Sequence, residues 1–316
     1  MPSNYRPVSI LPALGKILDN IQSTSLLKYL EEHQLLSNHQ FGFRTSLSTT
    51  KQLIYVTHQW INNLNSKKDT ISIFMDFHKA FDRVWHSGLL HKLGQLGISH
   101  GALLWIQNYL SERTLSVKVG KSNSAGYQLS AGVPQGSHLG PVLFLVYIND
   151  LPAALTSPND LYADDALIYD TIQEAERLQI NIDAAVKWAT NWRGAFSAAK
   201  TIMLHIGKHS LLQHQLAMDG KPLEPENHHR HLGLHFSPSL SWSYHLEKIT
   251  ASTQRKAGLL RCMIPHLSAS VATQLHLTWV RPTMEYACPV WHGSISKEDS
   301  LTLEQVLQGG SFGKCG

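Results

Sequence analysis

The chain contains 316 residues, of which 43% are hydrophobic and 16% charged, and its formal net charge at pH 7 is +4. This composition is typical of a globular protein and excludes a chain that is disordered over most of its length. The longest apolar run, 140–148, is far shorter than the roughly 20 residues needed to cross a bilayer, so no membrane partner is predicted.

Helices and strands are predicted in alternation along the first 207 residues. Apolar residues at helical spacing predict helices, and short apolar or alternating runs predict strands. In chain order, the predicted elements are helices over 14–32 and about 48–64, a strand over 71–76, a helix within 81–97, a strand over 115–119, a buried helix over 141–151, a hairpin over 161–170, a helix over 171–192 and a strand over 201–207.

The loop 132–140 (GVPQGSHLG) joins two of these elements, and its Ser137 is suited to cap the helix that follows. After about residue 207 the chain becomes rich in Pro and His, and helical segments return from about 243 to 280. We therefore expect a boundary near 236–242. His231 and His235 have the spacing of metal ligands, but they lie on an alternating, strand-like run, so no zinc site is predicted.

The three cysteines, Cys262, Cys288 and Cys315, form no C-x-x-C pair and no even set. This argues against a disulfide framework and against a structural zinc site. The apolar stretch near the start is short and interrupted by Pro12, so no signal peptide is predicted. We therefore expect a protein that is not secreted and acts inside the cell, in the nucleus or the cytoplasm.

Two adjacent aspartates, Asp164 and Asp165, interrupt the apolar run 161–168 (LYADDALI). A third, Asp76, ends the predicted strand 71–76. Three carboxylates that converge at a strand end would repel one another unless cations neutralised them. Mg²⁺ takes hard oxygen ligands and is commonly held by carboxylates together with substrate phosphates. The alternative is that Asp164 and Asp165 are ordinary turn residues.

Further motifs follow one another in order along nearly the whole chain. They are 4–21 (NYRPVSILPALGKILDNI), 39–53 (HQFGFRTSLSTTKQL), 74–86 (FMDFHKAFDRVWH), 131–152 (AGVPQGSHLGPVLFLVYINDLP), 162–165 (YADD), Lys200 with Thr201, 231–249 (HLGLHFSPSLSWSYHLEKI) and 281–291 (RPTMEYACPVW). With these motifs the sequence resembles the reverse transcriptases of non-LTR (LINE-like) retrotransposons.

The resemblance implies an α+β fold with a reverse-transcriptase palm, which is a ferredoxin-like antiparallel sheet with helices. Partial fingers and the palm would occupy 1–236, a helical thumb-like region 237–308, and a ragged tail 309–316. The implied activity is RNA-directed DNA polymerisation. A nucleotide would pass from a dNTP to the 3′-OH of a DNA primer on an RNA template, with Mg²⁺ or, in its place, Mn²⁺ as the cofactor.

The resemblance also implies roles for single residues in the chemical step. Asp76, Asp164 and Asp165 would be the catalytic residues and metal ligands, and the backbone carbonyl of Phe77 would be a further metal ligand. Lys200 would protonate or orient the leaving pyrophosphate. The alternative for Lys200 is a solvated lysine at a strand edge.

Other residues would bind the nucleotide and the template. Phe81 would act as the aromatic gate beneath the sugar, with a plain core role as its alternative, and Arg6 would bind the triphosphate, with a surface arginine as its alternative. Gln135 and Gly136 would lie against the incoming base pair and the template strand. The alternative for this segment is an ordinary loop.

Four basic residues lie along the helical segment that follows the predicted boundary: Lys248, Arg255, Lys256 and Arg261. Basic side chains suit sequence-independent contact with nucleic-acid phosphates. The alternative is a solvated helix face.

Three departures from the family pattern stand out. The stretch before Lys200 reads SAAK at 197–200, where the family usually has an asparagine a few residues ahead of the lysine. The chain begins at the first finger motif, so we expect a truncated copy in which a nicking endonuclease comes from elsewhere. Asn159 and Asp160 stand where apolar strand residues are expected before the YADD motif. The rival hypotheses are therefore a catalytically silent, nucleic-acid-binding remnant of such an element and a soluble fragment with neither property.

Overall fold

In the computed structural model, residues 8–207 and 215–309 are described, with side chains up to residue 305. Within these ranges no helix is both long and apolar enough to cross a membrane. The chain divides into two compact units. The first contains 1–48, 72–203 and 212–224, and the second contains 49–71, 204–211 and 225–316. The functional division into fingers and palm, thumb and tail stays a prediction.

The helices of the described residues include the predicted ones, close to their predicted positions, and one over 100–110 that was not predicted. They are α1 (Ala13–Glu32), α2 (Thr49–Asn65), α3 (His86–Gln95), α4 (His100–Leu110), α5 (Leu139–Ile148), α6 (Ala175–Asn191), α7 (Ser243–Met263), α8 (Ala269–Leu275), α9 (Arg281–Glu285), α10 (Cys288–Trp291) and α11 (Lys297–Gly309). A π-helical segment, His276–Val280, lies between α8 and α9.

The strands are short except for the two that carry the predicted carboxylates. They are β1 (Thr70–Asp76), β2 (Thr114–Leu115), β3 (Lys118–Val119), β4 (Ser122–Asn123), β5 (Tyr127–Gln128), β6 (Asn159–Tyr162), β7 (Asp165–Thr171), β8 (Ile202–Ile206), β9 (Ala217–Met218), β10 (Lys221–Pro222), β11 (His229–His231) and β12 (Leu234–Phe236).

Four of these strands form the central sheet, in the order β6-β7-β1-β8, and β6 and β7 run antiparallel. Helices α3, α4 and α5 lie between β1 and β6 in the chain, and α6 lies between β7 and β8. This succession is the β-α-β-β-α-β arrangement. The predicted α+β fold with a palm-like sheet is confirmed.

Helix α5 is buried on every side, as predicted, although it begins at Leu139 and ends at Ile148 rather than covering 141–151. Its first turn is capped by side chains from two directions. The Ser137 hydroxyl accepts the Gly140 N–H at 2.8 Å, and the Asp19 carboxylate of α1 accepts the His138 N–H at 2.5 Å. A carboxylate at a helix N-terminus is stabilised by the helix dipole and by the free N–H groups there. Asp19 therefore anchors α1 to α5.

The predicted strand over 115–119 differs from the observed structure. The segment is split between β2, which pairs with β5, and β3, which pairs with β4. Between them the Val117 N–H donates to the Ser124 hydroxyl at 2.9 Å instead of to a strand carbonyl. The alternating pattern therefore belongs to an exposed ribbon rather than to one continuous strand.

The second compact unit packs helices around aromatic side chains. Trp60 of α2 contacts Phe236 of β12 edge-to-face, with 5.1 Å between ring centroids. The ring of His245, on α7, contacts Trp242 and Trp291 in the same edge-to-face manner. The helical segments predicted from 243 to 280 are confirmed.

Candidate active site on the central sheet

The hairpin of β6 and β7 carries Asp164 and Asp165 at its tip. Tyr162 pairs with Asp165, so Ala163 and Asp164 form the two-residue turn. Asp164 is half-buried and Asp165 is exposed. Ala163 has a φ of +55°, a left-handed conformation that L-residues other than Gly rarely adopt. Such backbone strain tends to occur at functional sites, where the surrounding structure maintains it.

Asp76 lies at the end of β1, the strand next to β7 in the sheet. Its carboxylate oxygen Oδ2 is 3.0 Å from Nζ of Lys200, and its backbone carbonyl accepts the Ser197 N–H at 2.9 Å. Neither side chain of this ion pair is buried: that of Asp76 is 34% exposed and that of Lys200 62%. The structure thus brings together Asp76 and Lys200, two of the predicted site residues.

Within the described ranges, no group of three or more His, Cys, Asp or Glu side chains is close enough together to hold a metal ion. The convergence of Asp76, Asp164 and Asp165 on one metal therefore stays a prediction. The donor set itself fits a hard divalent cation, because it consists of carboxylate oxygens on neighbouring strands.

Phe77 extends β1 by an isolated bridge to Phe196. The two hydrogen bonds of the bridge run from the His78 N–H to the Ala195 carbonyl and from the Ser197 N–H to the Asp76 carbonyl. Neither uses the Phe77 carbonyl, the group predicted to bind metal. The ring of Phe77 is buried, so only its backbone is a candidate ligand.

Phe81 is half-buried rather than fully enclosed. One face of its ring stacks on the buried Phe144, with 4.9 Å between centroids, and Phe43 lies edge-on at 6.4 Å. The ring is therefore supported by the core. Its two interpretations, sugar gate and core residue, both stay predictions.

The loop with Gln135 and Gly136 is fixed at several points. The Gln135 side-chain amide donates to Asp82 Oδ1 at 2.8 Å, and the Gln135 carbonyl accepts the Ser9 N–H at 2.8 Å. Gly136 has a φ of +98°, and a Cβ there would lie 3.2 Å from the Ser9 carbonyl. Gly132 has a φ of +94°, and its Cβ would lie 2.9 Å from the Asp82 carbonyl. Both positions therefore require glycine.

The remaining predicted residues are not part of this arrangement. Arg6 lies outside the described residues. On α7, Lys256 donates to the Thr283 hydroxyl at 2.7 Å, and Lys248 pairs with Glu247 at 3.0 Å. Arg255 and Arg261 are exposed. Lys256 and Lys248 are therefore already engaged by neighbouring side chains.

Asp160, the residue that departed from the expected apolar pattern, is buried in β6 at 1% exposure. Burial raises the pKa of its carboxyl to about 7, and a hydrogen bond from Tyr169 opposes that rise. Its Oδ1 lies 3.9 Å from Nδ1 of His39. A protonatable group thus lies inside the hairpin that carries the aspartate pair, and the polar residue within an apolar strand was the sequence signal for it.

The sequence matches a known protein family and several known proteins. Residues 1–254 match the family described as "Reverse transcriptase (RNA-dependent DNA polymerase)". The RNA-directed DNA polymerase from mobile element jockey of Drosophila melanogaster is 28% identical over 96% of this chain, and the probable RNA-directed DNA polymerase from transposon BS of the same organism is 31% identical over 97%. The chain spans 35% of the length of either relative.

Among solved structures, the telomerase from Candida albicans in complex with the TWJ fragment of telomeric RNA superimposes with a TM-score of 0.52. The match has 10% sequence identity and covers 93% of this chain and 55% of the telomerase. At this identity the likeness concerns the fold alone. The family match and the matches to mobile-element polymerases confirm the resemblance expected from the sequence motifs. The chain belongs to the reverse transcriptase (RNA-dependent DNA polymerase) family.

Proposed function

We propose that this chain catalyses RNA-directed DNA polymerisation, in which a nucleotide is transferred from a dNTP to the 3′-OH of a DNA primer on an RNA template. The observation that carries the proposal is the arrangement of carboxylates at neighbouring strands of the palm-like sheet: Asp76 ends β1, Asp165 begins β7, and Asp164 lies in the turn directly before it. The proposed site of action is inside the cell, in the nucleus or the cytoplasm.

In this proposal Asp76, Asp164, Asp165 and the Phe77 carbonyl hold Mg²⁺, or Mn²⁺ in its place. When bound, the ions neutralise the charge of the transferring phosphoryl group and align the attacking and leaving oxygens. Lys200 has a separate role. Its ammonium group lies 3.0 Å from Asp76 Oδ2, and in this proposal it donates a proton or a hydrogen bond to the leaving pyrophosphate.

The nucleotide and template residues act by orientation. Phe81 lies beneath the incoming sugar and disfavours a 2′-OH, while Gln135 and Gly136 lie against the new base pair and the template. The fixed geometry of the loop supports this role, because Gln135 is already held by Asp82 and Ser9. Arg6 is proposed to bind the triphosphate.

The nucleic-acid backbone is proposed to contact α7 in the thumb-like region 237–308, with the fingers and palm in 1–236. Exposed Arg255 and Arg261 suit contact with phosphates. Lys248 and Lys256 would have to exchange Glu247 and Thr283 for such contacts.

Primer extension on an RNA template with dNTPs and Mg²⁺ or Mn²⁺ tests the proposal. Asp76→Asn and Asp164→Asn should each lower the rate by at least about 10²-fold, the scale of removing one electrostatic stabiliser of the transition state. The matched control is Asp183→Asn on the exposed face of α6, which should leave the rate unchanged.

Two results would contradict the proposal. Equal extension by Asp164→Asn and the unaltered protein would remove Asp164 from the mechanism and indicate a contaminating polymerase. No extension by the cooperatively folded, unaltered protein would overturn polymerisation and favour the silent, nucleic-acid-binding remnant, which should still bind a primer–template.

A further inference from the structure

A short segment of the chain, 39–42, lies along the outer edge of β6. The Phe41 N–H donates to the Leu161 carbonyl at 2.8 Å, and the Leu161 N–H donates to the His39 carbonyl at 2.8 Å. The bridge between Gln40 and Leu161 is parallel. The edge of the hairpin is therefore paired with a segment about 120 residues away in sequence.

Within this segment, the side chain of Gln40 reaches the tip of the hairpin. Its carbonyl oxygen Oε1 accepts two backbone N–H groups, that of Ala163 at 3.0 Å and that of Gly42 at 2.7 Å. Gln40 is only 1% exposed, so water does not compete for these bonds. Gly42 makes the close approach possible, because a Cβ at this position would lie 2.5 Å from the Ala163 nitrogen.

Ala163 is a residue that needs such support. Its left-handed φ of +55° is costly for alanine and persists only where neighbouring contacts maintain it. Asp164 follows directly in the chain, and Asp165 pairs with Tyr162 on the other side of the turn. A rotation of the Ala163 peptide would therefore displace the Asp164 carboxylate and change its distance from Asp165.

We infer that Gln40 is a positioning residue for the aspartate pair, acting through the Ala163 peptide. The inference rests on the proposed function, since it assigns Gln40 to the geometry of the polymerase metal ligands. Ligands and reacting groups must be held within about 0.5 Å of their productive positions, and small displacements lower rates strongly. Gln40 itself does not bind metal in this account.

A purely structural role is the competing explanation, because the two hydrogen bonds of buried Gln40 also contribute to stability. Gln52 provides the matched control. It is also fully buried, on α2 in the second compact unit, and both its side-chain nitrogen and oxygen are without a hydrogen-bond partner. Gln40→Met and Gln52→Met thus remove the same amide from two buried positions, of which only that of Gln40 hydrogen-bonds to the hairpin.

The first measurement is amide hydrogen exchange at Ala163, followed by NMR with ¹⁵N-alanine. In Gln40→Met the Ala163 amide should exchange about 10-fold faster, because it has lost its acceptor. In Gln52→Met its exchange should stay within 2-fold of the unaltered protein. Gln40→Glu keeps an acceptor oxygen at the same reach and should retain the protection.

The second measurement is steady-state primer extension with a titration of Mg²⁺. Gln40→Met should lower kcat about 10-fold or more with the KM for dNTP within 2-fold, and should raise the Mg²⁺ concentration needed for half-maximal rate. Gln52→Met should change neither kcat nor the Mg²⁺ concentration needed for half-maximal rate. Gly42→Ala supplies a second perturbation, since its Cβ would lie 2.5 Å from the Ala163 nitrogen and 3.1 Å from Gln40 Oε1, and it should reproduce the Mg²⁺ shift.

The outcomes separate this inference from the proposed function. If the unaltered protein extends no primer, the proposed function fails, and hydrogen exchange still tests whether Gln40 holds Ala163. If it does extend primer, but folded Gln40→Met keeps its kcat and its Mg²⁺ dependence, the inference is overturned. Should Gln40→Met not fold, Gly42→Ala with an unchanged Mg²⁺ dependence would overturn it instead.

Discussion

The two compact units differ in how their buried ionisable groups are stabilised. In the first, buried charges have partners: Nζ of Lys92 lies 2.5 Å from Oδ1 of Asp150 and 3.6 Å from the centroid of the Trp192 ring. The carboxylate of Asp170 is likewise bound by Arg177 through two hydrogen bonds. Such pairs offset the cost of removing a charge from water.

The second unit buries imidazoles instead. Burial lowers the pKa of His229 to about 4, of His231 to about 3 and of His245 to about 4. For each of them the next contribution comes from another histidine, which lowers the pKa further. These rings are tolerated because they stay neutral at pH 7. The stability of the first unit therefore depends on pairing its buried charges, and that of the second depends on keeping its buried histidines uncharged.

The largest expected effect of this difference is the acid sensitivity of the second unit. A folded-state pKa below the unfolded value means that the unfolded chain binds protons first, so stability is fully present above about pH 6.5 and is lost as the pH falls toward 4. Each buried histidine can contribute a slope of up to about 1.4 kcal/mol per pH unit. Urea unfolding between pH 7.5 and 4.5, followed by tryptophan fluorescence, measures this.

Variants of single histidines sharpen that test. His245→Phe keeps a ring against Trp242 and Trp291, but this ring cannot be protonated. The variant should therefore reduce the slope of the unfolding free energy against pH below pH 6.5. His266→Gln, at an exposed position, should leave the slope unchanged. An equal slope in His245→Phe and the unaltered protein would contradict the assignment.

The second expected effect comes from breaking the charge pair of the first unit. Asp150→Ala should destabilise that unit by about 3 kcal/mol, because it leaves the Lys92 ammonium group buried without its counter-charge. Burial already lowers the pKa of Lys92 to about 8, against the opposing effect of Asp150. The loss should therefore shrink above pH 8, where the amine is neutral and needs no partner.

Thermal unfolding of Asp150→Ala at pH 7 and pH 9 measures this change. Asp183→Ala, which removes an exposed carboxylate from α6, is the control and should alter the Tm little at either pH. A loss of stability that is the same at both pH values would indicate that packing against Asp150, rather than charge, is responsible.

The third expected effect concerns Asp160, whose buried carboxyl is an exception to the charge pairing of the first unit. The pKa of Asp160 is raised to about 7, so the folded state holds a proton that the unfolded chain has lost. Stability should therefore fall as the pH rises from about 4 to 7, opposite in sign to the effect of the buried histidines. Asp160→Asn should abolish this fall and stabilise the protein by about 1–2 kcal/mol at pH 8.

Chemical unfolding of Asp160→Asn as a function of pH provides the measurement. Its control is the neighbouring substitution Asn159→Ala, which leaves the titrating carboxyl in place. If Asp160→Asn kept the original pH dependence between pH 5 and 8, another group in the hairpin would have to carry the proton.

These contrasts also indicate what the sequence could predict. The strand ending at Asp76, the hairpin of Asp164 and Asp165 and the buried α5 were all predictable, because apolar runs and turns are local signals. The ribbon over 114–128 was not, since two-residue strands carry too little pattern. Nor were the exact helix ends, such as Leu139 for α5, because the cap depends on Asp19 in another helix.

The same distinction holds for the candidate site. Residue types within single motifs predicted Asp76, Gln135 and Lys200 as site residues. The side chains that contact them belong to other motifs. The contact of Lys200 with Asp76 and that of Gln40 with Ala163 each join residues more than 120 positions apart. Side-chain contacts at such separation leave no local trace in one sequence, and they appear only when the sheet brings the segments together.

The smallest expected effect concerns the proposed nucleic-acid surface on α7. Lys248 and Arg255 are seven residues apart, close to two full turns, and so lie on one face of the helix. Lys256 is turned toward α9, where it donates to Thr283. If charge on the exposed face neutralises phosphates, Arg255→Ala should weaken primer–template binding uniformly across sequences. It should also lower the salt slope, which is the slope of the logarithm of the binding constant against the logarithm of the salt concentration, by about 1.

The matched comparison is Lys256→Ala, which removes an equal charge from the same helix. Its salt slope should stay near that of the unaltered protein, while its Tm should fall, because the lost contact is internal to the unit. Binding measured by fluorescence anisotropy from 50 to 300 mM salt separates the two variants. An equal fall in slope for both would mean that Lys256 leaves Thr283 to reach a phosphate, and net charge rather than helix face would then govern binding.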